Sequence, residues 1–488
     1  MKQFAEWALN VAVLRGASYA DARVVDDRSR ALATKNGKVA GASDASSLGI
    51  GVRVIADGAW GFAASDNLVR SAVEETAARA VAIARASAKV KQQAVRLAPE
   101  KPCTAEWTTP HKIDPFATSI EENLHLLARV DQELRSVKGV TLAEASMNFR
   151  REEQWFASSE GSNIHQTKLS TGTGYTAHAF AGNEIQKRSY PSSFGGQWQN
   201  KGYELITELN LVENARRIGE ECVALHQAEQ CPAGTFTIIL DGSQLGLQIH
   251  ESIGHPIELD RVLGMEANFA GTSFLTLDKL RHLRYGSELV NVVADARQEH
   301  GPGLGTFAFD DEGVPAQCTS IISHGLFTGY LSSRDTAHAI AANRSGGTLR
   351  AESWNRLPII RMTNVSILPG ERPLSLQQLI TSTDYGILMQ TNKSWSIDDK
   401  RYNFQFGCEI AWEIKNGKLG RMLKNPSYSG ITTEFWNSLD AICSKDEWTL
   451  WGTPNCGKGQ PQQVMGTGHG AAPARFRNIK VGSAYRGS

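Results

Sequence analysis

Two dipeptides near the start of the chain constrain its fold more than any other sequence feature. Asn36-Gly37 and Asp57-Gly58 both consist of residues that tolerate positive φ, which a two-residue β-hairpin turn requires at both positions. Strand-like runs at 30–35, 48–56 and 59–64 flank the two turns. This part of the chain is therefore predicted to form an antiparallel meander of strands.

Helical segments and a linker follow this meander. Apolar residues at helical spacing predict a helix over about 67–91, with Asp66 as its N-cap. Several prolines within 97–118 predict a linker, and a capping-box pattern starts another helix at Ser119. Strand-like runs come next, and a helical stretch over about 205–227 leads into the last part of the chain.

A chain of 488 residues is longer than one hydrophobic core usually organises, so we expect several domains. We predict an N-terminal α+β domain over 1–96, a middle helix-plus-meander domain over 112–228 and a C-terminal domain over 232–488. The predicted fold class is α+β. N-terminal units of helices and antiparallel sheet precede a β-rich C-terminal domain, which carries a helix that begins after Asp241-Gly242.

Charge and composition argue against two classes of partner. Lys plus Arg and Asp plus Glu each number 51, so the net charge is zero, and without a long basic run we expect no nucleic-acid partner. No apolar run approaches the ~20 residues of a membrane-spanning helix, and the first residues lack a secretory pattern. The seven cysteines are scattered, which is typical of reduced thiols. We expect a cytoplasmic protein without membrane contact.

The segment His250-Glu251-Ser252-Ile253-Gly254-His255 is a stretched form of the metalloprotease signature His-Glu-x-x-His. In the common form the histidines are four residues apart and share one helix face. Here they are five apart, and a regular helix would rotate them by about 140°. Gly254 terminates helices and Pro256 lacks a backbone N–H, so the helix is expected to widen or end between the histidines.

The residue types in this motif suit hydrolysis at a metal. Neutral imidazoles bind a borderline divalent metal and leave a coordination position open, and Glu251 is placed to accept a proton from water. A catalytic zinc site usually has three protein ligands. The residues alone leave five candidates for the third ligand: Glu258, Asp260, Cys408, Cys456 and His469.

Other patterns carry weaker signals. His469, between two glycines, suits either stabilisation of an oxyanion or a structural hydrogen bond. Asp310-Asp311-Glu312 lacks the alternating spacing of a calcium loop and favours an acidic turn. The glycine-rich segment 301–305 is not followed by Lys-Ser/Thr, which argues against a nucleotide-binding loop. Arg350 and Arg361 are candidates either to hold a peptide carboxylate or to pair with carboxylates of the protein.

The histidine motif, ending in Pro256, occurs together with Pro454-Asn455-Cys456-Gly457-Lys458-Gly459-Gln460 near the C-terminus. Four further segments accompany them: Gly49-Ile50-Gly51-Val52-Arg53-Val54 with Asp57-Gly58, Asp310-Asp311-Glu312-Gly313-Val314-Pro315, Arg361-Met362-Thr363-Asn364 and Gly466-Thr467-Gly468-His469-Gly470. In this order, the set resembles the TldD/PmbA family of metallopeptidases, once described as modulators of DNA gyrase. The intact metal motif resembles the TldD branch, because the TldE (PmbA) branch lacks it.

The resemblance implies a metal-dependent peptidase with His250, His255 and Cys456 as ligands and Glu251 as general base. Such a ligand set suits one divalent metal, zinc in the first place and iron as the alternative. The resemblance also implies a dimer, either of identical chains or with a TldE/PmbA-like paralogue. The dimer would enclose the site and admit short or unfolded peptides.

Two other functions stay open at this point. One is a non-catalytic regulatory or binding subunit of the gyrase-modulator kind, against which the intact Glu251 argues, since a binding protein needs no general base. The other keeps the two histidines and the cysteine but uses them for redox chemistry at iron.

Overall fold

The structure, a computed structural model, describes residues 1–482. The α-helices of the first half are α1 (Lys2–Leu14), α2 (Arg70–Ala88), α3 (Ile120–Ser136), α4 (Glu204–Glu208) and α5 (Leu211–Ala224). Its strands are β1 (Tyr19–Lys35), β2 (Lys38–Ala56), β3 (Ala59–Ser65), β4 (Thr104–Thr108), β5 (Leu142–Ser158), β6 (Asn163–Ala181), β7 (Glu184–Tyr190) and β8 (Gln197–Gln199).

The second half is richer in short strands. Its α-helices are α6 (Gly242–Ile249), α7 (Leu259–Val262), α8 (Ala267–Ala270), α9 (Leu376–Thr381) and α10 (Thr432–Asn437). Its strands are β9 (Glu229–Gln230), β10 (Gly234–Leu240), β11 (Val292–Asp295), β12 (Cys318–Ser323), β13 (Leu326–Phe327), β14 (Leu349–Arg350), β15 (Ile359–Ile360), β16 (Asn364–Ile367), β17 (Tyr385–Ile397), β18 (Asn403–Lys415), β19 (Lys418–Lys424), β20 (Ser427–Ile431), β21 (Leu439–Ile442), β22 (Thr449–Lys458), β23 (Gln463–Ala471) and β24 (Ala474–Val481).

The strands of the first half form one sheet in the order β3-β2-β1-β5-β6-β4, and β7 and β8 also pair with β6. β1–β2 and β2–β3 are antiparallel hairpins, as the two turn dipeptides predict. Asn36, Gly37, Asp57 and Gly58 all have positive φ, between 49° and 75°. Because β1 also pairs with β5, strands of the predicted N-terminal and middle domains share this sheet.

The two faces of this sheet have different neighbours, because successive residues of a strand point to opposite faces. Val24 of β1 lies in a buried cluster with α1 and α2, and Met147 of β5 lies in a cluster with α3 and α5. The neighbouring Arg23 points the other way and contacts Asp311, with 3.8 Å between guanidinium and carboxylate. One face therefore carries helices, and the other packs against the second half of the chain.

The prediction of Asp66 as the N-cap of α2 is wrong. The helix begins after Val69, without a side-chain cap. The side chain of Asn67 accepts a hydrogen bond from the amide of Val69 at 3.1 Å, and Ser65 Oγ accepts one from the amide of Asn67 at 3.1 Å. These local bonds form a separate turn that delays the helix.

Two other predicted segments differ in detail. Residues 97–118, predicted as a linker, contain β4, which pairs in parallel with β6. The helical stretch over 205–227 is interrupted at Asn210, whose left-handed φ of 47° separates α4 from α5. β4 was missed because so short a strand depends on its pairing partner, which the local sequence does not reveal.

Two larger sheets and a two-stranded pair make up the second half. One sheet has the order β17-β10-β24-β20-β18-β19-β9, with β21 on β24, and the other has the order β13-β12-β11-β16-β23-β22. β10 leads directly into α6, and β22 and β23 form an antiparallel hairpin. Because α6 lies against both strands of this hairpin, residues more than two hundred positions apart meet there.

The α+β fold class is confirmed, with 24% helix and 41% strand. The predicted domain boundaries, 1–96, 112–228 and 232–488, stay a prediction. Among the described residues, the structure contains no helix with the length and apolar character needed to cross a membrane.

Candidate metal centre

The two motif histidines lie on one turn of π-helix. α6 begins at its N-cap Asp241 and widens over His250–Gly254. The amide of His255 donates to the carbonyl oxygen of His250 at 3.1 Å. This bond joins residues five apart, in place of the regular four, and shows the widening that the sequence predicts.

Two contacts hold the widened turn. The carbonyl of Ser252 would normally accept from residue 256, but Pro256 has no N–H, and the hydroxyl of Tyr285 donates to it instead. At Gly254 a Cβ atom would lie 2.1 Å from the Sδ atom of Met362. The turn therefore depends on a tyrosine from another segment and on the absence of a side chain at position 254.

The rings of the two histidines and the thiol of Cys456 converge. The ring centroids of His250 and His255 are 4.9 Å apart at an angle of 89°, and Cys456 Sγ lies 3.7 Å from His255 Nε2. One donor atom from each of the three residues lies within 4.8 Å of the others. All three side chains are buried, so the cluster is shielded from bulk water.

Hydrogen bonds at the Nδ1 atoms orient both imidazoles. His255 Nδ1 donates to the carboxylate oxygen Oε2 of Glu258 at 3.0 Å. His469 Nδ1 donates to the carbonyl of Val365 at 3.0 Å, so its Nε2 accepts from His250 Nδ1 at 2.8 Å. Both motif histidines are then left with a lone pair on Nε2, which is the tautomer a metal ligand needs.

Burial keeps these imidazoles neutral. It lowers the pKa of His250 and holds the pKa of His255 and His469 well below the ordinary value. A neutral imidazole is the form that binds a metal, so protons do not compete for the site near pH 7.

Cys456 reaches the cluster from β22, where it pairs with Met465 of β23. The guanidinium of Arg361 donates to the Cys456 carbonyl at 2.5 Å, which fixes the strand at this point. Burial raises the pKa of the Cys456 thiol, and the positive charge of Arg361 lowers it by stabilising the thiolate. The thiolate that a metal binds is therefore favoured.

Glu251 lies on the same turn, directly after His250, and is also buried. The guanidinium of Arg401 contacts its carboxylate. Arg401 has a left-handed φ of 64°, and the Asp398 side chain stabilises its loop by accepting from the amide of Tyr402 at 2.7 Å. The loop between β17 and β18 thus presents a cation to this carboxylate.

The remaining ligand candidates lie around the cluster or away from it. Glu258 and His469 contact the Nδ1 atoms of the two histidines, as described. Asp260 pairs with the buried Lys458, with 2.6 Å between Nζ and Oδ1. Cys408 lies elsewhere in the core and belongs to no such group among the described residues.

The weaker sequence signals have mixed outcomes. Asp310-Asp311-Glu312 forms a turn, but the turn is buried and not solvated, because it packs on the cations of the first sheet.

Arg350 and Arg361 donate to backbone carbonyls, and neither has a carboxylate within ion-pair distance in the described part of the chain. Segment 301–305 packs against Asn364, whose Oδ1 accepts from the amide of Gly305 at 2.9 Å.

Sequence reasoning missed the role of Arg401, which lies 150 residues beyond Glu251. No local pattern marks it. It also missed the bonding of Glu258 to His255, although the spacing of three residues was a usable signal. A metal-binding histidine almost always donates its other ring N–H to a polar group such as this carboxylate.

Comparisons with known proteins identify relatives of this chain. Residues 233–483 match a family model described as the PmbA/TldA metallopeptidase C-terminal domain, and residues 20–84 match PmbA/TldA metallopeptidase domain 1. A metalloprotease of Methanocaldococcus jannaschii is 30% identical over 463 residues, covering 94% of this chain and 96% of that one. A zinc metalloprotease TldD homolog of Saccharolobus solfataricus is 29% identical over 251 residues, which is 51% of this chain and 52% of that one.

The fold is also shared with a solved structure. A protein of Thermotoga maritima, described as a candidate modulator of a DNA gyrase, has a TM-score of 0.77 at 16% identity, with 98% of this chain and 99% of that chain covered. The fold, the cluster and the relatives together define the class of this protein. It is an α+β protein with a buried His₂Cys cluster, and its relatives carry the name metalloprotease. Within this class, the chain belongs to the PmbA/TldD family of metallopeptidases, as its motifs predict.

Proposed function

We propose that this chain is a metal-dependent peptidase that hydrolyses peptide bonds in short or unfolded polypeptides. The observation that carries the proposal is the convergence of donor atoms from His250, His255 and Cys456 within 4.8 Å. A divalent metal held by these residues would supply Lewis acidity, which lowers the pKa of a water molecule and polarises a peptide carbonyl.

The donor set favours zinc as this metal. Two imidazole nitrogens and one thiolate are a ligand set of catalytic zinc sites, which keep a fourth position open. The orientation of both Nε2 lone pairs and the positive charge of Arg361 beside Cys456 support the fit. Iron accepts the same donors, so the metal is measured in the test.

Glu251 is the proposed general base. It follows His250 on the same turn, and Arg401 holds its carboxylate in place. From this position the carboxylate accepts a proton from the attacking water and returns it to the leaving amine nitrogen. His469, bonded to His250 Nδ1, is proposed as a positioning residue for that imidazole, in place of the oxyanion role considered from sequence.

The strand that carries Cys456 supports an extended substrate. β22 is the last strand of its sheet within residues 1–482. The glutamines of β8 already bond the backbone of its first part, at Leu450 and Gly452, whereas Asn455 and Gly457, on either side of Cys456, are exposed. A free strand edge binds an extended peptide through backbone hydrogen bonds, with little dependence on side chains. Short or unfolded chains can adopt this conformation, whereas folded proteins cannot.

The test first identifies the metal in the purified chain by elemental analysis. It then uses the zinc-loaded chain, alone and with a TldE/PmbA-like paralogue, since we propose that it acts as a dimer with itself or with such a partner. Peptide products are identified by mass spectrometry. The Glu251→Gln variant should keep its zinc and lose roughly 10²- to 10⁴-fold in kcat. Glu6→Gln, at an exposed glutamate, is the matched control.

Full activity of the Glu251→Gln variant would overturn the assigned base. A chain that holds no metal and cleaves nothing, with or without the paralogue, would overturn the peptidase function and favour a regulatory subunit.

A further inference from the structure

A small cavity lies between the first sheet and the hairpin that carries Cys456. It encloses about 130 Å³, many times the roughly 10–15 Å³ that one water needs. Pro454 and Met465 of the hairpin form one wall, and Lys168 and Ser170 of β6 form another. Because Met465 is the direct pairing partner of Cys456, the cavity lies next to the metal centre.

The walls of this cavity are positively charged. Arg150, Lys168 and Arg350 line it together with a single carboxylate, that of Glu152. Glu152 contacts both Lys168 and Arg150, which lies 3.2 Å away, and Arg150 contacts Asp27 as well. Asp27 and Glu152 thus pair with Arg150 and Lys168, and neither carboxylate lies within ion-pair distance of Arg350.

Among the cations that line the cavity, Arg350 is the one without a carboxylate partner in the described residues 1–482. It is only 7% exposed, and its terminal nitrogens donate to the carbonyls of Met362 at 2.7 Å, Gly466 at 3.0 Å and Leu304 at 3.2 Å. Within residues 1–482 its Nε has no hydrogen-bond partner, and no carboxylate lies within ion-pair distance of it. A buried guanidinium without a counter-ion is costly, so an anion in this cavity would stabilise it.

We propose that this cavity, here called the cationic pocket, binds a carboxylate group of the peptide substrate. The inference rests on the proposed peptidase function and deepens it by naming a recognition element beside the metal. A peptide paired with the exposed part of β22, around Asn455 and Gly457, passes Pro454, which also lines the cationic pocket. The carboxylate would be either the end of the peptide chain or an acidic side chain. It would accept hydrogen bonds from Lys168 and Ser170, and its negative charge would neutralise the positive charge of Arg350.

The test measures binding separately from cleavage. Zinc-loaded Glu251→Gln protein is titrated calorimetrically with three N-acetylated peptides of one neutral sequence: the free acid, the carboxamide, and the carboxamide with one internal glutamate. One of the two peptides that carry a carboxylate should bind roughly 10- to 100-fold more tightly than the neutral carboxamide, since a charge-assisted contact is gained. Which peptide binds more tightly identifies the source of the carboxylate.

A second substitution, added to the same protein, ties the preference to the cationic pocket. Lys168→Gln should remove most of the difference between the peptides. Lys35→Gln should keep it, because Lys35 forms an exposed lysine–glutamate pair on the same sheet, 3.2 Å from Glu144. Equal affinity for all three peptides, or a preference that survives Lys168→Gln, would overturn the cationic pocket.

Cleavage of the same peptides by the wild-type protein keeps the two proposals apart. Carboxylate-dependent binding without any cleavage, with or without the paralogue, would refute the peptidase function and retain the binding site. Cleavage of all three peptides with equal affinity would retain the peptidase function and refute the binding site.

Discussion

The amide of His255 donates a hydrogen bond to the carbonyl oxygen of His250, five residues earlier, at 3.1 Å. On a regular helix the two rings would point about 140° apart, and this single wider turn brings their centroids to 4.9 Å. The stretched motif is therefore a consequence of backbone geometry. Residues that support the π-turn should matter for metal binding even though they touch no metal.

Gly254→Ala should weaken zinc binding and destabilise the protein by about 1–3 kcal/mol, because the new Cβ would overlap the Sδ atom of Met362. The measurements are urea unfolding of the zinc-free protein and zinc titration against a chelator. Gly41→Ala is the control, since a Cβ there meets no atom within 4 Å. Unchanged zinc affinity in Gly254→Ala would show that the turn tolerates a side chain.

Tyr285→Phe should cost about 1–3 kcal/mol, because the carbonyl of Ser252 would stay buried without a donor. Tyr19→Phe provides a matched control. The Tyr19 hydroxyl is also buried but has no hydrogen-bond partner within residues 1–482, so its removal should be nearly neutral. Equal unfolding free energies for the two variants would argue against a supporting role of Tyr285.

His469→Gln should weaken zinc affinity by roughly 10- to 100-fold, because His250 would lose the acceptor that fixes its tautomer. Competition with a chelator measures the affinity directly. The exposed His125 provides the control substitution, His125→Gln. If zinc binding stayed unchanged while catalysis fell, His469 would act on the substrate and not on His250.

The buried acidic turn predicts a pH effect on stability. Burial raises the pKa of Glu312 from 4.5 to about 7 despite the nearby Arg53. The folded protein then keeps a proton that the unfolded chain releases. This contribution to stability is fully present below about pH 4.5 and is lost as the pH rises through about 7.

Glu312→Gln carries no such proton. Relative to wild type, its unfolding free energy should improve by about 1–3 kcal/mol between pH 5 and pH 8. Urea midpoints of both proteins at the two pH values test this. A difference between the proteins that does not change with pH, or that changes in the opposite direction, would contradict the raised pKa.

Features set by adjacent residues were predictable from the sequence. Asn36-Gly37 and Asp57-Gly58 predict their hairpins because positive φ is a property of the residues themselves. Gly254 and Pro256 likewise predict the irregular turn between the histidines. In each case the physical cause lies within a few positions of its effect.

Features that depend on long-range packing were not predictable in this way. Spacing alone did not choose Cys456, because the hairpin that brings it to α6 is more than two hundred residues away. The contact of Arg401 with Glu251 and the burial of Asp310-Asp311-Glu312 have the same origin. The prediction for Asp66 failed for a local reason, since the hydrogen bonds made by Ser65 and Asn67 outweigh the tendency of Asp66 to cap the helix.

The most direct test of the central claim is zinc-edge X-ray absorption on the zinc-loaded protein, compared with its Cys456→Ser variant. The wild-type spectrum should show one sulfur at about 2.3 Å together with nitrogen or oxygen ligands at about 2.0–2.1 Å. The sulfur contribution should vanish in Cys456→Ser. A wild-type spectrum without sulfur, or a sulfur contribution that persists in the variant, would contradict a centre built from His250, His255 and Cys456.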